Sequence, residues 1–438
     1  MNNTFRKHAK LATLFLVFVL AVSTFSLSAL TADASQITQS AKSFTITNPY
    51  ENVNWASFGQ YKANFHAHSR NSDGANTTAA MVEDHYAKGF DILAMTDHNY
   101  LTEAWDKVAV GPLTSDRRAQ IEAGAGRSGR GMIDIDNTNE QSATDHINTF
   151  WAPFNNVTGD TMASIIAKCE AQGGISHLNH PGRYTGGANA NDSISVAASN
   201  NPDNIKKYVD LLMAYPSCIG IEIINKIDNE SKSDRILWDN ILMQTMPDRT
   251  VWGFSNDDTH SLNATGYAWN VMLMPALNQS ETRIAMETGA FYAVSRVSRL
   301  DGINRYYPAG GEIRGDGADA TLYLLNQPTP RISNIVVNQE KSTITIAGAN
   351  YNLIEWIADG EVIATGSIFN LNNHQDKVNS YVRAQLKSST GIAFTQPFGI
   401  EETKKKTIIE EIKEEFGCNA GFGYLLALLA LPFFLRRK

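Results

Sequence analysis

An α/β fold with a smaller β-sandwich behind it is what the sequence predicts, on three observations. From Tyr61 to about Ser255, apolar strand-like runs alternate with helix-like segments, the rhythm of a sheet whose crossovers are helices. Histidines and acids cluster where the strand-like runs end, and in barrels of parallel strands chemistry collects at the carboxy-terminal strand ends. From Thr321 the chain changes to short β-type runs separated by turn residues, which reads as a small sandwich.

Taken in order, Arg6, Lys7, His8 and Lys10 precede an apolar run, Leu11 to Val22, and then Ala32-Asp33-Ala34. This is the layout of a cleavable secretory signal over 1–34, with the mature chain starting near Ser35. A first strand ends at Phe65-His66-Ala67-His68, followed by Ser72-Asp73-Gly74. A helix capped by Thr77 carries Met81, Val82 and Tyr86 on one face, stops at Gly89, and leads into the strand Phe90 to Met95, which ends in Thr96-Asp97-His98. His85 is expected on that helix's surface or packed at its edge.

Further strands end at Gly173-Gly174-Ile175-Ser176-His177, run from Ile219 to Ile224 with Glu222 inside, and run from Val251 to Ser255 just before Asp257-Asp258. Glu122 to Met132 and Arg183 to Asn204 read as long loops, either shaping access to a site or plain surface. The first domain is expected over 45–310. The sandwich, over 321–400, takes the runs Ile332 to Val337, Ser342 to Ile346, Ile354 to Ala358, Val362 to Ile363 and Tyr381 to Leu386, and serves as a recognition module or a spacer.

Lys404 to Glu415 is a charged spacer, and 417–438 holds Gly417-Cys418, the apolar run Phe422 to Leu435 and the basic end Arg436-Arg437-Lys438. The apolar run is short against the roughly 20 residues of a bilayer span, so a buried core segment is the alternative. The arrangement resembles the tripartite carboxy-terminal sorting tails of exported bacterial proteins, with Cys418 marking processing or attachment and the basic end staying cytoplasmic. The expected location is the cell envelope or cell surface, with attachment through this tail or release after its processing.

The 438 residues, 43% hydrophobic and 19% charged, suffice for one large domain and a smaller one. A net charge of −8 without a basic stripe interleaved with aromatics disfavours a nucleic-acid partner. Three cysteines, 169, 218 and 418, build no disulfide framework; Cys169 and Cys218 form either one bridge or two buried thiols. The chain has no Walker-type loop, nucleophile elbow or CxxC pair, which argues against nucleotide-driven and thiol chemistry.

Seven of the ten histidines, His66, His68, His98, His146, His177, His180 and His260, fall in the clusters. Imidazole and carboxylate together bind zinc, manganese or iron, and ligands drawn from separated segments require a fold that gathers strand ends at one place. Side chains two apart on a strand share a face, so His66 and His68 can meet one metal, as can Asp258 and His260. His177 and His180, three apart, face opposite ways; His180, ahead of Pro181, is the one expected in the site, and His177 reads as a hydrogen-bonded core histidine. Asp97 either ligates or orients a ligand. Arg183 is the candidate catalytic residue, a phosphate clamp whose guanidinium offers two parallel donors, with a solvated loop arginine as the alternative.

In their order these motifs resemble the PHP family, the polymerase and histidinol phosphatase domain, over about Tyr61 to Ser261. The resemblance implies a distorted seven-stranded β/α barrel, two or three divalent metals (Zn, Mn or Fe) and hydrolysis of phosphate esters. It implies one metal on His66, His68, Glu140 and Asp258, a second on Glu140, His146 and His180, and a third on Asp73, His98 and His260. The sequence departs from the family where the glutamate usually sits in a Gly-Ile-Glu-Ile strand: here Ile133-Asp134-Ile135-Asp136 precedes Asn139-Glu140-Gln141. Glu140 is chosen because His146 follows at short range, with Asp134 and Asp136 as rivals. Glu222, in Gly220-Ile221-Glu222-Ile223, resembles a family strand motif that faces the pocket or pairs with a structural cation. The expected function is an exported metal-dependent phosphoesterase acting on a small phosphorylated substrate; the alternatives are a hydrolase of amides or other esters and a non-catalytic cell-surface binding module.

Overall fold

The computed structural model describes residues 42–186, 192–226, 228, 233–303 and 326–404. The expected signal segment, the tail 417–438 and Cys418 lie outside the described residues. The chain divides into a large unit of residues 45–401 and a second made of 1–44 and 402–438.

In chain order the strands up to residue 295 are β1 (Lys42–Thr47), β2 (Gly59–Asn64), β3 (Ile92–Leu93), β4 (Ile133–Asp134), β5 (Asn139–Gln141), β6 (Ile147–Phe150), β7 (Ile175–Leu178), β8 (Cys218–Asn225), β9 (Trp252–Asn256), β10 (Ala268–Met274) and β11 (Phe291–Ser295). The helices α1 (Thr78–Ala87), α2 (Ser115–Glu122), α3 (Met162–Ala171), α4 (Asp192–Ser199), α5 (Pro202–Ala214), α6 (Asp234–Thr245) and α7 (Gln279–Thr288) fall between them. Helix starts follow local chemistry. Thr77 accepts from Ala80 N, Thr161 and Ser164 cap each other, and Asn201 and Asn278 accept from the first-turn amides of α5 and α7. None of the described helices is long and apolar enough to cross a membrane.

No closed barrel forms among the described residues. Strands β2, β3 and β4 pair in parallel as one arc, and β5 to β9 form a second sheet in chain order. Among the described residues the arcs are joined by isolated bridges, Ala67 to Thr259 and His98 to Glu140 in parallel and Thr102 to Thr138 antiparallel. Two features prevent fuller closure. The β3 and β4 ladders are two residues long, and the free edge of β2 is taken by β10, antiparallel, with Ala63 opposite Asn270 and Gly59 opposite Met274. Between the arcs Phe65 packs edge-on against Phe150 and Phe254, and Phe254 lies 4.7 Å from Phe291.

The C-terminal region is all-β apart from short turns: β12 (Arg331–Asn338), β13 (Thr343–Ala349), β14 (Leu353–Ala358), β15 (Glu361–Thr365), β16 (Ile368–Asn370), β17 (Tyr381–Ser388), β18 (Gly391–Phe394) and β19 (Phe398–Lys404). Strands β12, β13 and β16 form a small sheet, while β18 pairs with β11, so β17, β18, β14 and β15 extend the sheet that carries β2. The C-terminal strands thus fall into two sheets, one of them continuous with the large sheet.

Three local expectations are corrected or decided. His85 is fully buried and not on the surface; its Nδ1 donates to the Met81 carbonyl at 2.7 Å and its Nε2 accepts from Asn64 at 3.1 Å. The 122–132 segment is a clamp at the start of β3, where Arg127 and Arg130 both hold buried Asp91 at 2.9 and 2.6 Å. Cys169 and Cys218 are free, buried thiols, pushed up by burial to about 12 and about 11.

Candidate metal centre

The segments just beyond the carboxy-terminal ends of β2, β3, β7 and β9 converge with β5 and the residue before β6, and they carry all nine metal-ligand candidates. Beyond β2 the Ala67–Thr259 bridge fixes the backbone between His66 and His68, whose ring centroids are 5.1 Å apart. The parallel bridge between His98 and Glu140 ties the β3 end to β5. His180 and Asp258 adopt φ of +26° and +44°, sparsely populated backbone that costs on the order of 1–3 kcal/mol each and persists only where surrounding structure imposes it.

Glu140 and Asp258 are the two hubs. Glu140 lies 3.2 Å from His66 Nε2, 3.3 Å from His68 Nε2, 2.8 Å from His98 Nδ1, 2.9 Å from His146 Nδ1 and 3.3 Å from His180 Nε2. Asp258 lies 3.1 Å from His68 Nε2, 3.4 Å from His66 Nε2 and 3.5 Å from His260 Nδ1. Asp73, on the loop after His68, approaches His260 Nε2 at 3.3 Å and His98 Nε2 at 3.7 Å. Four groups of donor atoms are compact enough to hold an ion: His68, Asp73, His98 and His260; His66, His68 and Glu140; His66, His180 and Asp258; and His98, Glu140 and His146. They differ from the expected sets in detail. His68 joins the Asp73 group, and His180 groups with His66 and Asp258.

The fit to cations rests on atoms left without hydrogen-bond partners. His66 Nε2, His68 Nε2, Glu140 Oε2 and Asp258 Oδ1 are all buried and lack one. Buried polar atoms are rarely orphaned, and here the two imidazole nitrogens each lie within 3.4 Å of both carboxylates, a donor set suited to Zn, Mn or Fe. Both carboxyls are held in the ionised form that ligation requires. Burial works against ionising Glu140 and Asp258, but the field of His66, helped by the other histidines and by Lys226 near Asp258, holds both carboxyls well below their ordinary range. Burial opposes the charge on His66 too, yet Asp258, Glu140 and Glu222 together raise it well above its usual value, whereas burial dominates at His68 and takes it down to about 4.

Supporting residues orient these groups. His66 Nδ1 donates to Glu222 Oε1 at 2.8 Å, which turns Nε2 toward the hubs. Glu222 also accepts from Asn256, Asn225 and the His180 amide. Asn179 donates to Glu140 at 2.8 Å, and Lys226 Nζ lies 3.3 Å from Asp258. Of these only Glu222 had a sequence signal, an acid inside a strand buried along its whole length. Asp97 takes the orienting role: it accepts from Ser69 N, Ser69 Oγ and Ser72 Oγ, each at 2.7 Å, and so holds the loop that carries Asp73.

The rivals of Glu140 stand elsewhere. Asp134 accepts from Trp105 N and Asp136 lies 3.9 Å from Arg118. His177 is buried against Phe254, 4.7 Å between ring centroids, and burial lowers it to about 4; neither of its ring nitrogens has a hydrogen-bond partner, contrary to the expected hydrogen-bonded core histidine. Arg183 is exposed on the short 3-10 turn Pro181–Tyr184, its guanidinium carbon 6.0 Å from the Tyr184 ring, which in turn lies 5.3 Å from His146. That puts it at the rim of the cluster.

No family model matches the sequence, and no curated protein does. Among solved structures, the chain is similar to a two-domain protein of Bacteroides vulgatus containing a predicted PHP-like metal-dependent phosphoesterase, with 16% identity, a TM-score of 0.39, and 81% of this chain and 89% of that one covered. A lesion-specific endonuclease from Pyrococcus furiosus matches at 13% identity and a TM-score of 0.32, covering 52% of this chain and 56% of that one. An amidohydrolase from Chromobacterium violaceum matches at 14% identity and a TM-score of 0.29, covering 45% of this chain and 87% of that one. At these values the functional reading rests on the geometry of the centre itself.

Proposed function

We propose that this chain is an exported metal-dependent hydrolase that cleaves the phosphate ester of a small substrate, using two or three divalent ions. The observation that carries this reading is the convergence of buried, unpartnered donor atoms on the ionised hubs Glu140 and Asp258. His66, His68 and Glu140, with Asp258 and His180 beside His66, would hold one ion, Glu140 with His98 and His146 a second, and Asp73, His98 and His260 with His68 a third.

Bound there, divalent ions supply Lewis-acid activation of water and stabilisation of the charge that develops on a phosphoryl group. The chain's own residues divide the remaining work. His66, His68, Glu140 and Asp258 are at most 3% exposed, whereas His98, His260 and Asp73 are 23%, 29% and 55% exposed, so substrate approaches from the Asp73 side. Glu222 keeps the proton on His66 Nδ1 and leaves Nε2 to ligate. Arg183, at the rim, offers a guanidinium fork to phosphate oxygens. The phosphate ester is favoured over amides because several cations facing an open side suit a substrate that brings negative charge of its own.

The test is metal content by mass spectrometry on residues 35–415 purified without chelator, beside Asp258→Ala, followed by turnover of p-nitrophenyl phosphate, p-nitrophenyl acetate and an anilide. Two or three ions per chain, fewer in the variant, with turnover of the phosphate alone, support the proposal. Turnover of the acetate or anilide instead moves the assignment to a non-phosphate hydrolase. A protein that binds no metal after remetallation is a binding module and not this enzyme. Export is checked by sequencing the amino terminus of the envelope or culture fraction, where a start near Ser35 is expected.

A further inference from the structure

On the outer face of β2, β10 and β11, a cavity of about 420 Å³ opens away from the metal centre. Strand alternation builds its floor. Lys62 and Tyr292 are both register partners of Val271, and Trp269 with Val294 is the next pair on that face. Ala63, Met272 and Phe291 point the other way into the core. The chain entering β12, through Pro330 and Arg331, forms the outer wall.

Three cations meet in this cavity, and no acid lines it. Lys62 Nζ sits 3.9 Å from the Phe90 ring centroid and 4.6 Å from that of Trp269, and donates to the Lys88 carbonyl. Burial draws it down to about 7, with the Asp257 charge pulling the other way. Arg331 donates from Nε to Gln60 Oε1 at 2.8 Å, and its guanidinium also interacts with the Tyr292 hydroxyl on the cavity floor. Arg130 spends Nε and Nη2 on Asp91 and the Gln60 carbonyl, which leaves Nη1. Guanidinium forks beside an ammonium suit an oxyanion. The volume lies within the roughly 300–1,000 Å³ of small-molecule pockets, far more than one acidic group fills, and Val271, Val294 and Pro330 are among the residues that line the remainder.

We propose that this cavity binds a small organic anion about the size of a monosaccharide bearing one acidic group, its acid held among Lys62, Arg130 and Arg331. The site is independent of the hydrolytic centre and does not rest on that reading.

The test is calorimetric titration of the full chain with glucuronate, glucose 6-phosphate, glucose and inorganic phosphate, the first two separating a carboxylate from a phosphate. It is repeated on Arg331→Gln, on Lys62→Met, and on the double variant Asp73→Ala/His260→Ala at the metal centre. Arg331 is exposed and its side chain touches only Gln60 and Tyr292 among the hydrogen-bonding groups of the cavity, so its variant keeps the fold. We expect one of the two acidic sugars to bind, to lose about tenfold in affinity or more in each cavity variant, and to be unaffected in the metal-centre variant. Glucose binding as well as the anions, inorganic phosphate binding as well as glucose 6-phosphate, binding lost only in the metal-centre variant, or no binding at millimolar concentration each overturn the proposal.

Discussion

Glu222 touches no open part of the site, yet it fixes which nitrogen of His66 faces the hubs. Removing the carboxylate of such a partner typically costs ten- to a hundredfold in metal affinity or activity, so Glu222→Ala should lower metal affinity by about that factor while the purified protein stays folded. Competition against a fluorescent chelator reads the change, and unaltered affinity would show that His66 is oriented by other contacts. His85 gives a pH prediction at the same scale. Burial, opposed by the Met81 carbonyl, lowers its imidazole from 6.5 to about 3, so between those values the unfolded chain binds a proton that the folded chain refuses. Stability is therefore full above pH 6.5 and falls as pH drops toward about 3. Replacing His85 with Gln should flatten this part of the acid-unfolding curve; an unchanged slope would place the acid sensitivity elsewhere.

At the element scale, the short turn Pro181–Tyr184 sets the position of His180. Gly182 N donates to Asp234 Oδ1 at 2.6 Å, and a Cβ added at Gly182 would lie 2.3 Å from that oxygen, which is anchored at the start of α6. Gly182→Ala forces either the Asp234 carboxylate or the turn to give way, at a cost of about 1–3 kcal/mol, and His180 shifts where the turn yields. Thermal unfolding should show the loss and metal analysis a fall in occupancy. Full occupancy at reduced stability would mean that the carboxylate gives way and the ligand stays in place. Elements with local signals, such as α1 with its Thr77 cap and the Gly89 stop, were legible in the sequence because a cap and a stop act within one turn. Of the two places expected for His85, the packed one holds, and its full burial was not legible locally because its Nε2 is bonded to Asn64, 21 residues away.

At the scale of the molecule, the C-terminal strands β14, β15, β17 and β18 belong to the sheet that carries β2, whose end bears His66 and His68. Arg383 on β17 forms a buried ion pair with Asp239 on α6 at 2.6 Å, and Tyr381 donates to the same carboxylate. Breaking a buried pair strands a charge and costs about 3–5 kcal/mol, so Arg383→Ala should lower the unfolding midpoint in urea sharply although Arg383 is remote from the metal ligands. Deleting 326–404 removes β18 from β11 and exposes the β11 edge, and the truncated chain should be insoluble. A soluble, metal-loaded truncation would instead make the C-terminal strands a separable module.

The sequence by itself determined the α/β rhythm, the β character of the C-terminal third and the strand-end positions of the histidines and acids, because periodicity and turn chemistry are local. Tertiary structure decided what depends on residues far apart in the chain. It brought Glu140 rather than Asp134 or Asp136 to the histidines through the His98 bridge, and it grouped His180 with His66 and Asp258. It left the barrel open because β10 occupies the β2 edge, and it joined β14, β15, β17 and β18 to the same sheet. Strand pairing and side-chain convergence are set by long-range packing, which no window along the sequence contains.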